Sequence, residues 1–330
     1  MAWVAQVSVW RFGRSLVADI SVHSYRSENK LEWNDWISSS KNGTFLHNRD
    51  FMDYHADRFH DASIMVRQDG VLIAVLPANS AEGAIFSHGG LTYGGVVTGS
   101  KMRIEIFLKT FNAILEFYRE QDAKRLYYKP VPHIYQTQPA DEDLYALFRH
   151  NARLIRCDLS SAIPLARRLK PSKSRKQAVA LAKKANLVVR QSRDWQAYWN
   201  ILSEVLAHRH EASPTHSLRE IEMLARSFPD EISLFGAFEN DKMVAGLVIF
   251  DCGRTVHVQY IAASARGREI GSVDFIVSYL MENIFMGRDW FDFGISTTSQ
   301  GRQLNEGLAL QKEMFGARSV VYQQFEIDLA

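Results

Sequence analysis

The residues with chemical potential gather in the second half of the chain. Arg266-Gly267-Arg268-Glu269-Ile270-Gly271-Ser272 follows an apolar run and precedes a helix-period segment. A helix that opens there offers free N–H groups and the positive end of its dipole, both of which favour a phosphate. Arg266, Gly267, Arg268, Gly271 and Ser272 are therefore candidate ligands for an anionic group, with an ordinary polar turn as the plainer alternative. Asp292 lies in the strand-like Trp290–Gly294, where a carboxylate could take a proton from an ammonium or orient an amine. It could equally cap a helix or pair with Lys312. Lys312 could in turn stabilise charge developing on a carbonyl oxygen. His210 and His216 frame a Pro-containing loop; His210 is a candidate base, since histidine titrates near neutrality, and His216 a candidate substrate contact. A structural role is the alternative for both. Gln259 and Tyr260 are adjacent on a strand, so by the period of two they face opposite sides, Gln259 toward a ligand and Tyr260 toward the core.

The elements that must hold these residues recur in one order. Ser63–Arg67 and Val71–Leu76 flank Asp69-Gly70, a two-residue hairpin signal, and Gly83–Ser87 gives a third strand. The glycine-rich Gly89–Gly99 follows, containing Tyr93, a candidate acceptor contact. Its glycines suit close backbone approach or a bulged strand, and it lacks the Gly-Lys-Ser/Thr of a nucleotide P-loop. Met102–Gln121 has helical spacing, Arg125–Lys129 reads as a strand stopped by Pro130 and Pro132, and Asp141–His150 as a helix. The second half repeats the series: strands 231–238, 243–250 and 255–262, a helix reaching about Phe285, strand 290–294, helix 303–315 and strand 318–329. Helices 31–40 and 51–59 open the first half, and 195–208 and 218–228 the second. The repeat is one of pattern rather than of residue identity. Two unrelated α/β domains are the alternative.

Bulk properties exclude several classes. With 330 residues, 46% hydrophobic and 23% charged, the chain is long enough for two ordinary globular cores. A net charge of +2 argues against a general nucleic-acid or membrane partner. No apolar run approaches 18 residues, and Cys157 and Cys252 are too isolated for a metal or disulfide framework, so a cytoplasmic protein without a bound metal is expected. One segment stands apart: Leu159–Arg193 holds ten basic residues and no acidic one. It is either a solvated face or an anion-binding element.

Arg268-x-x-Gly271 resembles part of the GNAT (N-acyltransferase) signature, with Val273 where a final small residue is expected. The stretch Phe291-Asp292-Phe293-Gly294, then Asn305, Gly307, Leu308, Lys312, Phe315 and Gly316, resembles the Fem-type transferases, as do Gly90–Gly95 and Arg209–Ser217. That resemblance covers about residues 42–327. It implies an α/β (mixed-sheet) chain of tandem GNAT-like domains packed around a central cleft, with no coiled-coil arm. The halves would be residues 1–158, on the acceptor side, and 159–330, on the donor side. Asn305 becomes a candidate substrate contact and Gln259, with the 266–272 turn, a candidate donor site. The activity implied is transfer of an acyl or aminoacyl group to an amine of an envelope precursor, an amino sugar or a peptide. No tightly bound cofactor is expected; acyl-CoA, an acyl-carrier protein or an aminoacyl-tRNA would be co-substrate, the latter two through the basic segment. A non-catalytic module that recognises a nucleotide-sugar or RNA is the rival reading.

Overall fold

The computed structural model describes residues 19–210 and 214–330, with the side chains of residues 208–210 outside the description. Both expected hairpins form. Asp69-Gly70 and Asn240-Asp241 have positive φ at both positions, the backbone twist that two-residue hairpins require. Helix Ile104–Arg119 buries Phe107, Phe111, Ile114, Leu115 and Tyr118 along one stripe. Lys173–Lys184 is helical, as is Trp195–His210. Two expected helices are shorter than their patterns. Phe51–Phe59 reduces to Arg49–Met52 plus a 3-10 turn, Asp53–His55. Gln303–Phe315 reduces to Glu306–Glu313, because Gln303-Leu304 pairs as a short strand with Thr297-Thr298.

One sheet runs through both halves. Its order begins with the second half in sequence: Val188–Ser192, Ile232–Glu239, Lys242–Asp251, Thr255–Ala263, Trp290–Ile295. Arg153–Pro164 comes next, then the last strand Arg318–Asp328, then Arg125–Tyr128, Ala84–Phe86, Asn79–Ala81 and His60-Asp61 of the first half. The two halves have thus exchanged strands. Arg153–Pro164 lies antiparallel between Trp290–Ile295 and Arg318–Asp328, while Arg318–Asp328 pairs on its other side with Arg125–Tyr128. The 158/159 division lies inside Arg153–Pro164. A four-stranded sheet of Ile20–Ser24, Ile64–Gln68, Val71–Leu76 and Val97-Thr98 completes the first half. Apolar side chains pack in three clusters, the largest joining residues of both halves, such as Tyr93, Tyr135, Phe250 and Tyr322.

Candidate active site

The site begins where two neighbouring strands part. Thr255–Ala263 and Trp290–Ile295 run parallel through three pairs, Thr255 with Trp290, Val256 with Phe291 and His257 with Asp292. Beyond His257 they no longer pair, although Thr255–Ala263 continues for six residues. On its other edge that strand bulges: Val258 faces Ile249 and Tyr260 faces Val248, so Gln259 is the extra residue. Splay and bulge together leave backbone groups of this stretch without ladder partners, within reach of a ligand.

Asp292 anchors the splay. It is fully buried and takes five hydrogen bonds. Oδ1 accepts from Ser160 Oγ at 2.6 Å and from the Gly294 amide at 3.3 Å. Oδ2 accepts from Tyr135 at 2.8 Å, Tyr322 at 2.7 Å and His257 Nδ1 at 2.7 Å. Burying a lone carboxylate costs several kcal/mol, and several charge-assisted hydrogen bonds at about 1.5–3 kcal/mol each offset it. Burial pushes the Asp292 carboxyl up, but the bonds from His257, Ser160 and Tyr322 outweigh it and hold it down at about 2. The acid is therefore ionised throughout the neutral range. The donors come from four strands and the 3-10 turn His133–Tyr135, so the exchanged strands meet on this one carboxylate.

An ionised Asp292 only accepts, so the proton on the His257–Asp292 bond sits on Nδ1. In the neutral form of the ring the lone pair is then on Nε2, which has no hydrogen-bond partner among the described residues. The ring is 13% exposed and lines a cleft of about 700 Å³ between the halves. First-half residues Leu91 and Thr92 from the glycine-rich loop form one wall; Gln259, Phe293 and Gly294 form another. The sheet carrying Tyr322 and Gln324 contributes too. A base in a polar cleft, oriented by a buried acid, is suited to take a proton from an attacking nucleophile.

The expected site residues divide accordingly. Gln259 lines the cleft. Asp292 lies directly behind it, too enclosed to take an amine proton itself, and holds His257 instead. Lys312 is committed elsewhere: its buried ammonium donates to the carbonyls of Gly294 at 2.8 Å and Ile295 at 2.7 Å, clamping the loop after Asp292. Burial pushes it down to about 8. His216 is buried, its Nδ1 2.7 Å from the Tyr260 hydroxyl, and burial lowers it to about 4, so it is neutral at pH 7. Tyr93 is buried and donates to Thr44 Oγ1. Asn305 caps helix Glu306–Glu313 by accepting from the Leu308 amide. His210 ends helix Trp195–His210, and its side chain lies outside the described residues.

Several groups of the 266–272 turn are engaged within the protein. Arg266 pairs with Glu239, and Arg268 donates to the Ala263 carbonyl at 2.7 Å. A Cβ on Gly267 would stand 2.2 Å from the Val244 carbonyl oxygen, and one on Gly271 2.4 Å from that of Ala178. Ser272 is buried and donates to the Gly267 carbonyl. Helix Lys173–Lys184 lies across this turn, and its Arg175 binds Asp274 in the first turn of helix Ser272–Tyr279 at 3.0 Å.

His257, Tyr135, Ser160 and Tyr322 were not among the expected residues. His257 alone carried a signal, as the one residue of Thr255–Ala263 that can bear a positive charge. The others are ordinary residues of strands and turns until the exchanged strands bring them together. Among the described residues no group of three His, Cys, Asp or Glu is arranged to hold a metal ion, and no helix is long and apolar enough to cross a membrane.

Comparison with known proteins agrees with this architecture. Residues 167–300 match the family model described as an acetyltransferase (GNAT) domain. FemX is similar in structure at a TM-score of 0.64 and 12% identity, over 93% of this chain and 97% of that one. L-PGS from Bacillus licheniformis gives 0.59 at 13% identity, over 90% of each chain. A tandem GNAT protein from the clavulanic acid biosynthesis pathway gives 0.51 at 12%, over 94% and 99%. No curated protein sequence matches the chain. The chain has a Fem-like tandem GNAT fold, and no long helical arm interrupts it among the described residues.

Proposed function

We propose that the cleft transfers an acyl or aminoacyl group to an amine, with His257 as the base and Asp292 as its positioning residue. The observation that carries this is the His257–Asp292 hydrogen bond at the last paired rung of the splayed strands. The neutral amine attacks the carbonyl carbon of a thioester or aminoacyl ester, and the carbon–nitrogen bond forms as the carbonyl electrons move to oxygen. His257 Nε2 takes the proton that the nitrogen sheds. Backbone N–H groups freed by the splay and bulge are suited to receive the oxyanion. As the carbonyl re-forms, the bond to the thiolate or ribose oxygen breaks, and the His257 imidazolium returns the proton to that leaving group. Asp292 stays ionised and stabilises the imidazolium without taking its proton.

The second half supplies the base and the donor-side strands, the first half the loop that closes the acceptor side. The acceptor on this reading is an amine of an envelope precursor, an amino sugar or a peptide. The donor on this reading is an acyl-CoA, an acyl-carrier protein or an aminoacyl-tRNA. Helix Lys173–Lys184 is the surface such a carrier would meet: of the ten basic residues in Leu159–Arg193, only Arg175 and Arg190 pair with a carboxylate among the described residues. The test is a screen of acyl-CoA thioesters, acyl-carrier proteins and aminoacyl-tRNAs for amine-dependent release of the carrier, run with wild type and His257→Gln. Turnover that falls by about 10²–10⁴ in His257→Gln supports the assignment. Turnover unchanged in a folded variant would sink it.

A further inference from the structure

Away from His257 the cleft contains two cations that the proposed chemistry does not use. We propose that Lys129 and Arg156 form an anion-recognition subsite, so that the acceptor carries a phosphate or carboxylate group on the order of 10 Å from its reacting amine. This rests on the reading that the acceptor amine lies at His257.

The spacing follows from strand geometry. Arg156, Asp158 and Ser160 alternate onto one face of Arg153–Pro164, and Ser160 touches Asp292. Four residues of strand place the Arg156 row about 13 Å from the Ser160 row. Gln324 sits opposite Arg156 on the neighbouring strand, and both line the cleft. Lys129 approaches from the end of Arg125–Tyr128.

The local charge is incompletely matched. Asp158 is the acid beside these cations, and both of its oxygens are engaged: Oδ2 accepts from Arg156 Nε at 2.5 Å and Oδ1 from the Thr297 hydroxyl at 2.8 Å. The terminal amino groups of Arg156 have no partner among the described residues, leaving a fork suited to an oxyanion. Lys129 Nζ donates to the Leu91 carbonyl, a neutral partner, which leaves two N–H bonds unassigned. Burial and the positive charge of Arg156 push the lysine down to about 8. Asp158 offsets one of the two positive charges, so one remains for an anion in the cleft. A lysine serving only to hold the Leu91 loop would not need a second cation beside it.

Isothermal titration of the full chain at fixed ionic strength tests this with two probes, inorganic pyrophosphate and succinate. One of them should bind saturably. Arg156→Gln, a change at a partly exposed side chain, should weaken that binding about tenfold or more. Arg156→Lys should restore part of it, and Lys129→Gln, checked for folding by its melting curve, should weaken it as well. Preference for pyrophosphate assigns a phosphate-bearing acceptor, preference for succinate a carboxylate-bearing one. His257→Gln should leave probe affinity unchanged, so a failure of the base assignment and a failure of the subsite register separately. The subsite is overturned if neither probe binds or if binding survives Arg156→Gln. It is equally overturned if binding is lost in Lys176→Gln/Lys183→Gln on the basic helix rather than in Arg156→Gln.

Discussion

At the scale of single residues, environment rather than type decides which groups are chemically available. Three expected participants, Lys312, His216 and Asp292, are buried and engaged, while His257 keeps one nitrogen toward the cleft. Arg268 shows the same logic. One of its terminal N–H groups holds the Ala263 carbonyl, so its visible role is to fix the end of strand Thr255–Ala263, and Arg268→Ala should leave the apparent affinity for donor within about twofold, as read from steady-state KM. Asp143 gives a residue-scale expectation for stability. Burial raises its carboxyl to about 7, although the Tyr128 hydroxyl, donating at 3.0 Å, pulls the other way. A folded-state value above the unfolded one means the native chain binds the proton more tightly. Its contribution is complete below about pH 4 and is lost as pH rises toward 7. Asp143→Asn should flatten that part of the stability curve, measured by urea unfolding at several pH values.

At the scale of elements, the periodic segments were the legible part of the sequence. Both hairpins, helix Ile104–Arg119 and the strand pairs of the second half follow from apolar spacing and turn residues. The strand Arg153–Pro164 was not legible, because it is long, has a mixed pattern and runs into the basic stretch Leu159–Arg193. The site was hidden for the same reason: Ser160 and Tyr322 acquire meaning only through the pairing of that strand, and Tyr135 through a 3-10 turn after two prolines. The glycines of the 266–272 turn were visible as glycines, but their task is packing. Gly271 has φ of +70° and lies under the Ala178 carbonyl. Gly271→Ala should therefore cost about 2–4 kcal/mol in chemical denaturation, from a left-handed backbone and an overlap with helix Lys173–Lys184.

At the scale of the molecule, the strand exchange makes the halves interdependent. Each contributes its last strand to a sheet position beside the other, and Asp292 gathers donors from both. A chain ending at Ala317 would lose the strand that pairs with both Arg153–Pro164 and Arg125–Tyr128. It should not give a cooperative thermal transition, whereas separable domains would leave one half melting as before. The same arrangement places the cleft where the exchanged strands meet, lined by residues of both halves. The central claim is that His257 and Asp292 act as one unit in that cleft, and a double-mutant cycle on turnover tests it most directly. His257→Gln and Asp292→Asn should each lower kcat by about 10² or more, and the double variant should be no slower than His257→Gln alone. Losses that multiply in the double variant, or a folded His257→Gln enzyme with near-normal kcat, would contradict it.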